Sequence, residues 1–185
     1  MKRLISIVLP VCALAQAARA QEKVDQGPTI LKDFDRRVAD YVKLHKTIRS
    51  QVRGLKPTKS PEAIEHHEHS LAHGIRAARR GVLRGNIFTP EISTQLRLLI
   101  GETMHGPEAA RIQESLKQAE PVRLRSIRVN ASYPPGIPLQ STPPSLLLNL
   151  PGLPPELEYR VVGRRLILRD IEANLIVDFI GDAIP

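Results

Sequence analysis

Cysteine is almost missing: the 185 residues hold one, Cys12, and it falls in an opening stretch whose pattern predicts removal. No disulfide can then brace the remainder, which must hold itself together through its core. Tryptophan is absent and aromatic residues make up 3% of the chain. Stacking platforms for single-stranded nucleic acid are therefore scarce, and nucleic acid is not an expected partner. There is no glycine-rich phosphate loop, no G-x-S-x-G, and no thiol beyond Cys12. No catalytic motif is found and no catalytic residue is nominated, so the chain reads as non-enzymatic. Long apolar runs are missing too. A bilayer-spanning helix needs about 20 apolar residues, and the longest candidate, Leu4 to Leu14, is shorter and contains Pro10.

That candidate opens the chain as MKRLISIVLPVCALAQAARA. Lys2 and Arg3 precede the apolar stretch, and Ala18 and Ala20 give the small-x-small pattern of a cleavage site. Residues 1–20 are expected to be a signal peptide cut after Ala20, and the product to be exported to the periplasm or secreted. The rival, lipid attachment at Cys12, wants a small residue before the cysteine, where Val11 stands. Cleavage takes Lys2, Arg3 and Arg19 from the 27 basic residues and nothing from the 19 acids, which leaves a net charge of +5 in place of +8. No second apolar segment follows, so no transmembrane segment is expected in the mature chain. Its 165 residues suffice for one domain, since chains of this size bury about 70% of their unfolded surface.

Residues 21–29 are polar with Gly and Pro and read as a disordered lead-in. A single α+β domain is expected over 30–185, with three to four helices in 30–120. Leu31, Phe34, Val38, Tyr41, Val42, Leu44 and Ile48 recur at helical spacing. Ser60-Pro61-Glu62 and Thr89-Pro90-Glu91 are helix starts, each with a hydroxyl N-cap, proline at the first helical position and an acid in the first turn. The helix from Ser60 is expected to run to about Leu83. That from Thr89 carries Ile92, Leu96, Leu99 and Ile100 and is expected to break at Gly101 and Gly106-Pro107. A last piece covers 107–119.

Alternation in VRLRSIRVN suggests a strand near 122–130. Residues 131–155 form a belt with prolines at 134, 135, 138, 143, 144, 151, 154 and 155. Regular structure there must be short, because each proline removes a donor and restricts its predecessor. One helical turn is expected at Ser145–Asn149. The closing residues 156–181 predict a three-stranded antiparallel meander. With Gly163-Arg164 as a two-residue II′ turn, Val161 faces Leu166 and Tyr159 faces Leu168 on one side. Glu158 then sits opposite Arg169 on the other, a favourable pair. Leu175, Val177 and Phe179 alternate as the third strand after a turn at Ile171–Asn174.

Two segments, IRAARRGVLRGNIFTPEI (75–92) and LPPELEYRVVGRRLILRDIEANLIVDFI (153–180), resemble an uncharacterised family of small exported bacterial proteins. That likeness spans most of the mature chain and implies no activity. The closing meander is also similar in pattern to the C-terminal module of periplasmic nickel/cobalt homeostasis proteins, over about 25 residues, three short strands. The aromatic-rich stretch expected at the start of that module is missing here.

Histidine is concentrated. Residues 62–76, EAIEHHEHSLAHGIR, hold four of the six. On a helical wheel His66, His69, His73 and Glu62 share one arc, opposite Ile64, Leu71, Ile75, Ala78 and Val82. His69 and His73 have the i,i+4 spacing that lets two imidazoles reach one ion, and His66 or Glu65 could add a third ligand. Zn, Ni or Cu would suit such a site. The same face also reads as plain solvated surface, because an exposed pair without supporting hydrogen bonds binds weakly. Arg76 and Arg80 continue it and would repel a cation, while His67 falls at the boundary. Arg76, Arg79, Arg80 and Arg84 could meet an anionic surface or a protein partner, or could simply solvate. Two functions remain open: a periplasmic binding or accessory module acting through its surfaces, and a divalent-metal buffer or sensor using the histidine face.

Overall fold

The computed structural model describes residues 27–55, 57–117, 127–133 and 143–185. The leader expected at 1–20 with Cys12, most of the expected polar lead-in, the first part of the strand expected near 122–130 and the middle of the proline belt lie outside these residues. The architecture is α+β. In chain order come α1 (Gly27–Gln51), α2 (Pro61–Ala78), α3 (Pro90–His105), α4 (Ala109–Lys117), the single turn α5 (Pro144–Leu147), β1 (Leu157–Val162), β2 (Arg165–Asp170) and β3 (Leu175–Ile180). Among the described residues no helix is long and apolar enough to cross a membrane.

Both helix starts form as the sequence predicts. Ser60 Oγ accepts from Ala63 N and Thr89 Oγ1 accepts from Ile92 N, each satisfying one of the donors a helix N-terminus leaves unpaired. Several boundaries differ, those of α1, α2 and α3 most clearly. α1 starts at Gly27 rather than Ile30, with Pro28 in its first turn, where a missing N–H costs nothing. α2 stops at Ala78 instead of reaching Leu83, because the chain turns through Gly81 at φ 84° and Gly85 at φ 90°. α3 runs through Gly101 to His105. Its apolar stripe (Ile92, Leu96, Ile100, Met104) is buried throughout, and this packing outweighs the poor helix propensity of one glycine.

The strands form the antiparallel sheet β1-β2-β3. Val161 pairs with Leu166, Tyr159 with Leu168 and Glu158 with Arg169, as alternation requires. Gly163 takes φ 58°, which a II′ turn demands of its first central residue. Arg169 Nη1 lies 2.6 Å from Glu158 Oε1. Between β2 and β3 the register shifts at Leu168/Arg169, leaving Val177 as the extra residue of a bulge on β3. No strand forms over the described residues 127–130. Instead residues 130–133 line the outer edge of β3: Asn130 N donates to Ile176 O, Ile176 N to Ala131 O and Tyr133 N to Asn174 O.

One face of the sheet packs on the helices. Leu157, Tyr159, Leu166, Leu168, Leu175, Val177 and Ile180 join Phe34, Val38, Leu71, Ile75, Leu96 and Ile100 in one core. α5 seals an end through Leu146, which is wholly buried, while Leu147 and Leu148 face out. The other face carries a smaller cluster of Val162, Ile167 and Ile176 beneath Tyr133.

α1 packs against α2 at Gly74, where a Cβ would collide with Ile48 Cγ2. Gly74→Ala should therefore lower stability by about 1 kcal/mol in urea denaturation, the cost of repacking outweighing the helix propensity gained. A raised midpoint would show that Ile48 rotates away freely.

Candidate functional site

The polar chemistry of the molecule lies inside, at the junction of α1 with the end of β2. Tyr41, His45 and Arg49 follow one another at intervals of four and so share one stripe of α1. On β2, residues 166, 168 and 170 point to the helices by parity, which turns the Asp170 carboxylate inward. Asp170 and His45 are fully buried. Asp170 Oδ2 accepts from Tyr41 Oη at 2.7 Å and lies 2.7 Å from His45 Nδ1, while Oδ1 accepts from Ala173 N at 2.8 Å. Three partners on one buried carboxylate offset the cost of removing it from water.

The network continues outward through Glu172 in the β2–β3 turn. His45 Nε2 is 3.2 Å from Glu172 Oε2. Glu172 Oε1 accepts from Arg49 Nε at 2.8 Å and lies 3.0 Å from His67 Nε2 on α2. The turn is thus gripped by both helices at one carboxylate. Beside it, Asn174 takes φ 49° and donates through Nδ2 to Glu68 Oε1 at 3.0 Å.

Electrostatics follow from this arrangement. Burial alone would depress His45, but the hydrogen bond and charge of Asp170, with those of Glu172, outweigh it and raise the imidazole above its ordinary range. Burial pushes the Tyr41 phenol far up, and the charge and hydrogen bond of Asp170 add to the effect, so it stays a neutral donor. Burial works against ionisation of Glu172, yet hydrogen bonds from His67, Arg49 and His45 hold it below the usual carboxylate range.

A second buried carboxylate, Asp178, sits on β3 beside the bulge. Oδ2 accepts from Ile87 N at 2.8 Å, Phe88 N at 2.9 Å and Gly85 N at 3.2 Å, and Oδ1 from Phe179 N at 2.9 Å. It organises the loop between α2 and α3. Close by, Arg79 caps α2 and turns its side chain inward. The guanidinium stacks 4.9 Å from the Tyr41 ring centre and donates to Val177 O at 2.9 Å. Its Nε is buried and has no hydrogen-bond partner among the described residues.

The histidine face stands elsewhere. His66, His69 and His73 are exposed along α2, and His69 Nε2 lies 4.0 Å from Glu65 Oε1. Among the described residues no three His, Cys, Asp or Glu side chains gather where they could hold a metal ion. His67, expected at the boundary, is buried, and Ile64, expected on the apolar side, is exposed. The arginine set does not form one surface. Arg79 is interior, contrary to the expectation that it faces outward. Arg76 donates to Asn130 O and Ser132 Oγ, Arg84 lies 4.9 Å over the Phe179 ring, and Arg80 is exposed. The helix that would have aligned all four ends before Arg80.

The sequence pattern puts Tyr41 in an apolar stripe and does not single out His45, Asp170, Glu172 or Asp178. Two signals were present: the Tyr41-His45-Arg49 spacing, and a carboxylate at the inward-facing parity of β2. Comparison with protein-family models, curated proteins and solved structures finds no match to the chain.

Proposed function

We propose that the chain is an exported, non-enzymatic binding or accessory module of the periplasm, delivered by the leader that ends at Ala20. The observation that supports this reading is the fate of its reactive groups. Tyr41, Asp170 and His45 form an arrangement of the kind enzymes use. Here both His45 nitrogens face carboxylates of the same chain, and Asp170 and His45 have no exposed surface. A substrate has no route to either group. The set joins helix to sheet, and contacts with other molecules are left to the outer surface. The likeness to small exported bacterial proteins fits the same reading.

A second reading makes the protein a divalent-metal buffer or sensor. Its support is the exposure of His66, His69 and His73 along one helix with Glu65 in reach of His69. One set of measurements on the mature chain separates the two. A broad hydrolase screen should show no turnover, and turnover abolished by His45→Gln would overturn the first reading. Calorimetric titration with Zn, Ni and Cu at two pH values tests the second. Binding should weaken in acid, because ligand imidazoles must be deprotonated, and His69→Ala with His73→Ala should remove it. Equal binding by wild type and double variant would leave the histidine face as solvated surface.

A further inference from the structure

We propose that the junction of α1 with the β2–β3 turn is an acid-closed latch, in which a proton on His45 joins Asp170 to Glu172 and its loss in alkaline solution frees the turn. The geometry carries this. Nδ1 of His45 lies 2.7 Å from Asp170 and Nε2 lies 3.2 Å from Glu172. Neutral imidazole has one N–H and one lone pair, so only the doubly protonated ring can donate to both carboxylates. Once deprotonated, the ring turns a lone pair towards a carboxylate in a buried site, where a mismatch of that kind is costly.

The charges around the ring point the same way. On its own helix stand Tyr41, Lys46 and Arg49, and α2 with its cap contributes His67 and Arg79. Lys46 holds Glu156, just before β1, at 3.1 Å, and Glu156 feels the charge of His45. Asp170 and Glu172 come from the end of β2 and its turn, and Asp178 of β3 acts on Arg79. Three permanent cations thus face four carboxylates, and the imidazolium supplies the charge that balances them.

Release follows one path. Asp170 keeps Tyr41 and Ala173 whatever the state of His45, so it stays in place. Glu172 is about one-third exposed, so it can swing to water and take residues 171 and 172 away from α1, while Ala173 holds the end of the turn on Asp170. The folded pKa of His45 is raised by Asp170 and Glu172 against the opposing effect of burial. The stabilisation is therefore fully present below the unfolded-state pKa and is lost as pH rises through the folded one.

Thermal melts of the full chain across the range from about pH 6 to about pH 9 test the latch, with His45→Gln and Glu172→Gln alongside. The wild type should melt roughly 4 °C or more above His45→Gln at the acid end, and the gap should shrink towards the alkaline end. Glu172→Gln should move the wild-type transition to lower pH. Nitrogen-15 shifts of the His45 ring should show both nitrogens protonated at neutral pH. Deprotonation should coincide with faster exchange of the Ile171 amide, corrected for its intrinsic rate, while Leu168 stays protected. A gap between wild type and His45→Gln that is constant with pH, or a singly protonated ring at neutral pH, would overturn the proposal even if one variant failed to fold.

Discussion

Replacing Asp178 with alanine should cost about 4 kcal/mol of stability, a large part of what a domain of this size has. The side chain is fully buried and accepts from the backbone N–H groups of Gly85, Ile87, Phe88 and Phe179. Alanine leaves the Ile87 and Phe88 donors in a dry interior and the part-buried Gly85 and Phe179 donors nearer water, and each unsatisfied buried group costs about 1–3 kcal/mol before relaxation. Water reaching part of the loop will recover some of this, which is why the expected sum is lower than four separate penalties. Phe88 stacks on Phe34 of α1, with ring centres 6.0 Å apart, so loosening the loop also disturbs the core. Asp178→Asn keeps one acceptor oxygen and should cost roughly half as much. Urea denaturation measures both, and amide exchange at Ile87 and Phe88 should quicken most. A near-native midpoint for Asp178→Ala would mean that the loop holds its shape without the carboxylate.

Leu166→Asp should have the larger effect and leave the chain unfolded at room temperature. Leu166 has no exposed surface and lies between Val161 on β1 and Ile180 on β3. Aspartate there loses the burial of a leucine, about 2 kcal/mol, and brings an unpaired carboxylate into the core at a cost of several more. Together these rival the whole stability of a small domain. Arg165→Asp, one residue earlier on the exposed side of the strand, should change stability by no more than about 0.5 kcal/mol. Far-ultraviolet circular dichroism and thermal melts of the pair decide the point. Cooperative, near-native melting of Leu166→Asp would show that the meander does not depend on the helices.

The elements that proved legible in the sequence are those whose signal is local. Ser60 and Thr89 sit three residues from the amides they cap, and proline and an acid beside each repeat the same instruction. The hairpin register was readable because a one-residue slip would have turned Leu166 and Leu168 to the outside and separated Glu158 from Arg169. The extents of the helices were less so: Gly81 and Gly101 are the same residue type, yet one lies at a break and the other inside α3, a difference set by packing. The interior network was only faintly legible. Strand parity turns Asp170 inward, but its partners lie 125 and 129 positions away, and nothing local says which residues it will meet. A rule that sends charges outward therefore misplaced Arg79 and overlooked His45 and Asp178.

Those same separations bear on the order in which the molecule can be made. α1 leaves the ribosome before the other described elements, and the residues that complete its buried stripe, Asp170 and Glu172, come from the end of β2 and its turn. Until β2 and its turn emerge, Tyr41 and His45 have no carboxylate to meet, and the apolar side of α1 lacks the sheet that covers it. Contacts so distant in sequence form late and slowly. The nascent chain therefore cannot complete the core that α1 shares with the sheet until β1, β2 and β3 have emerged.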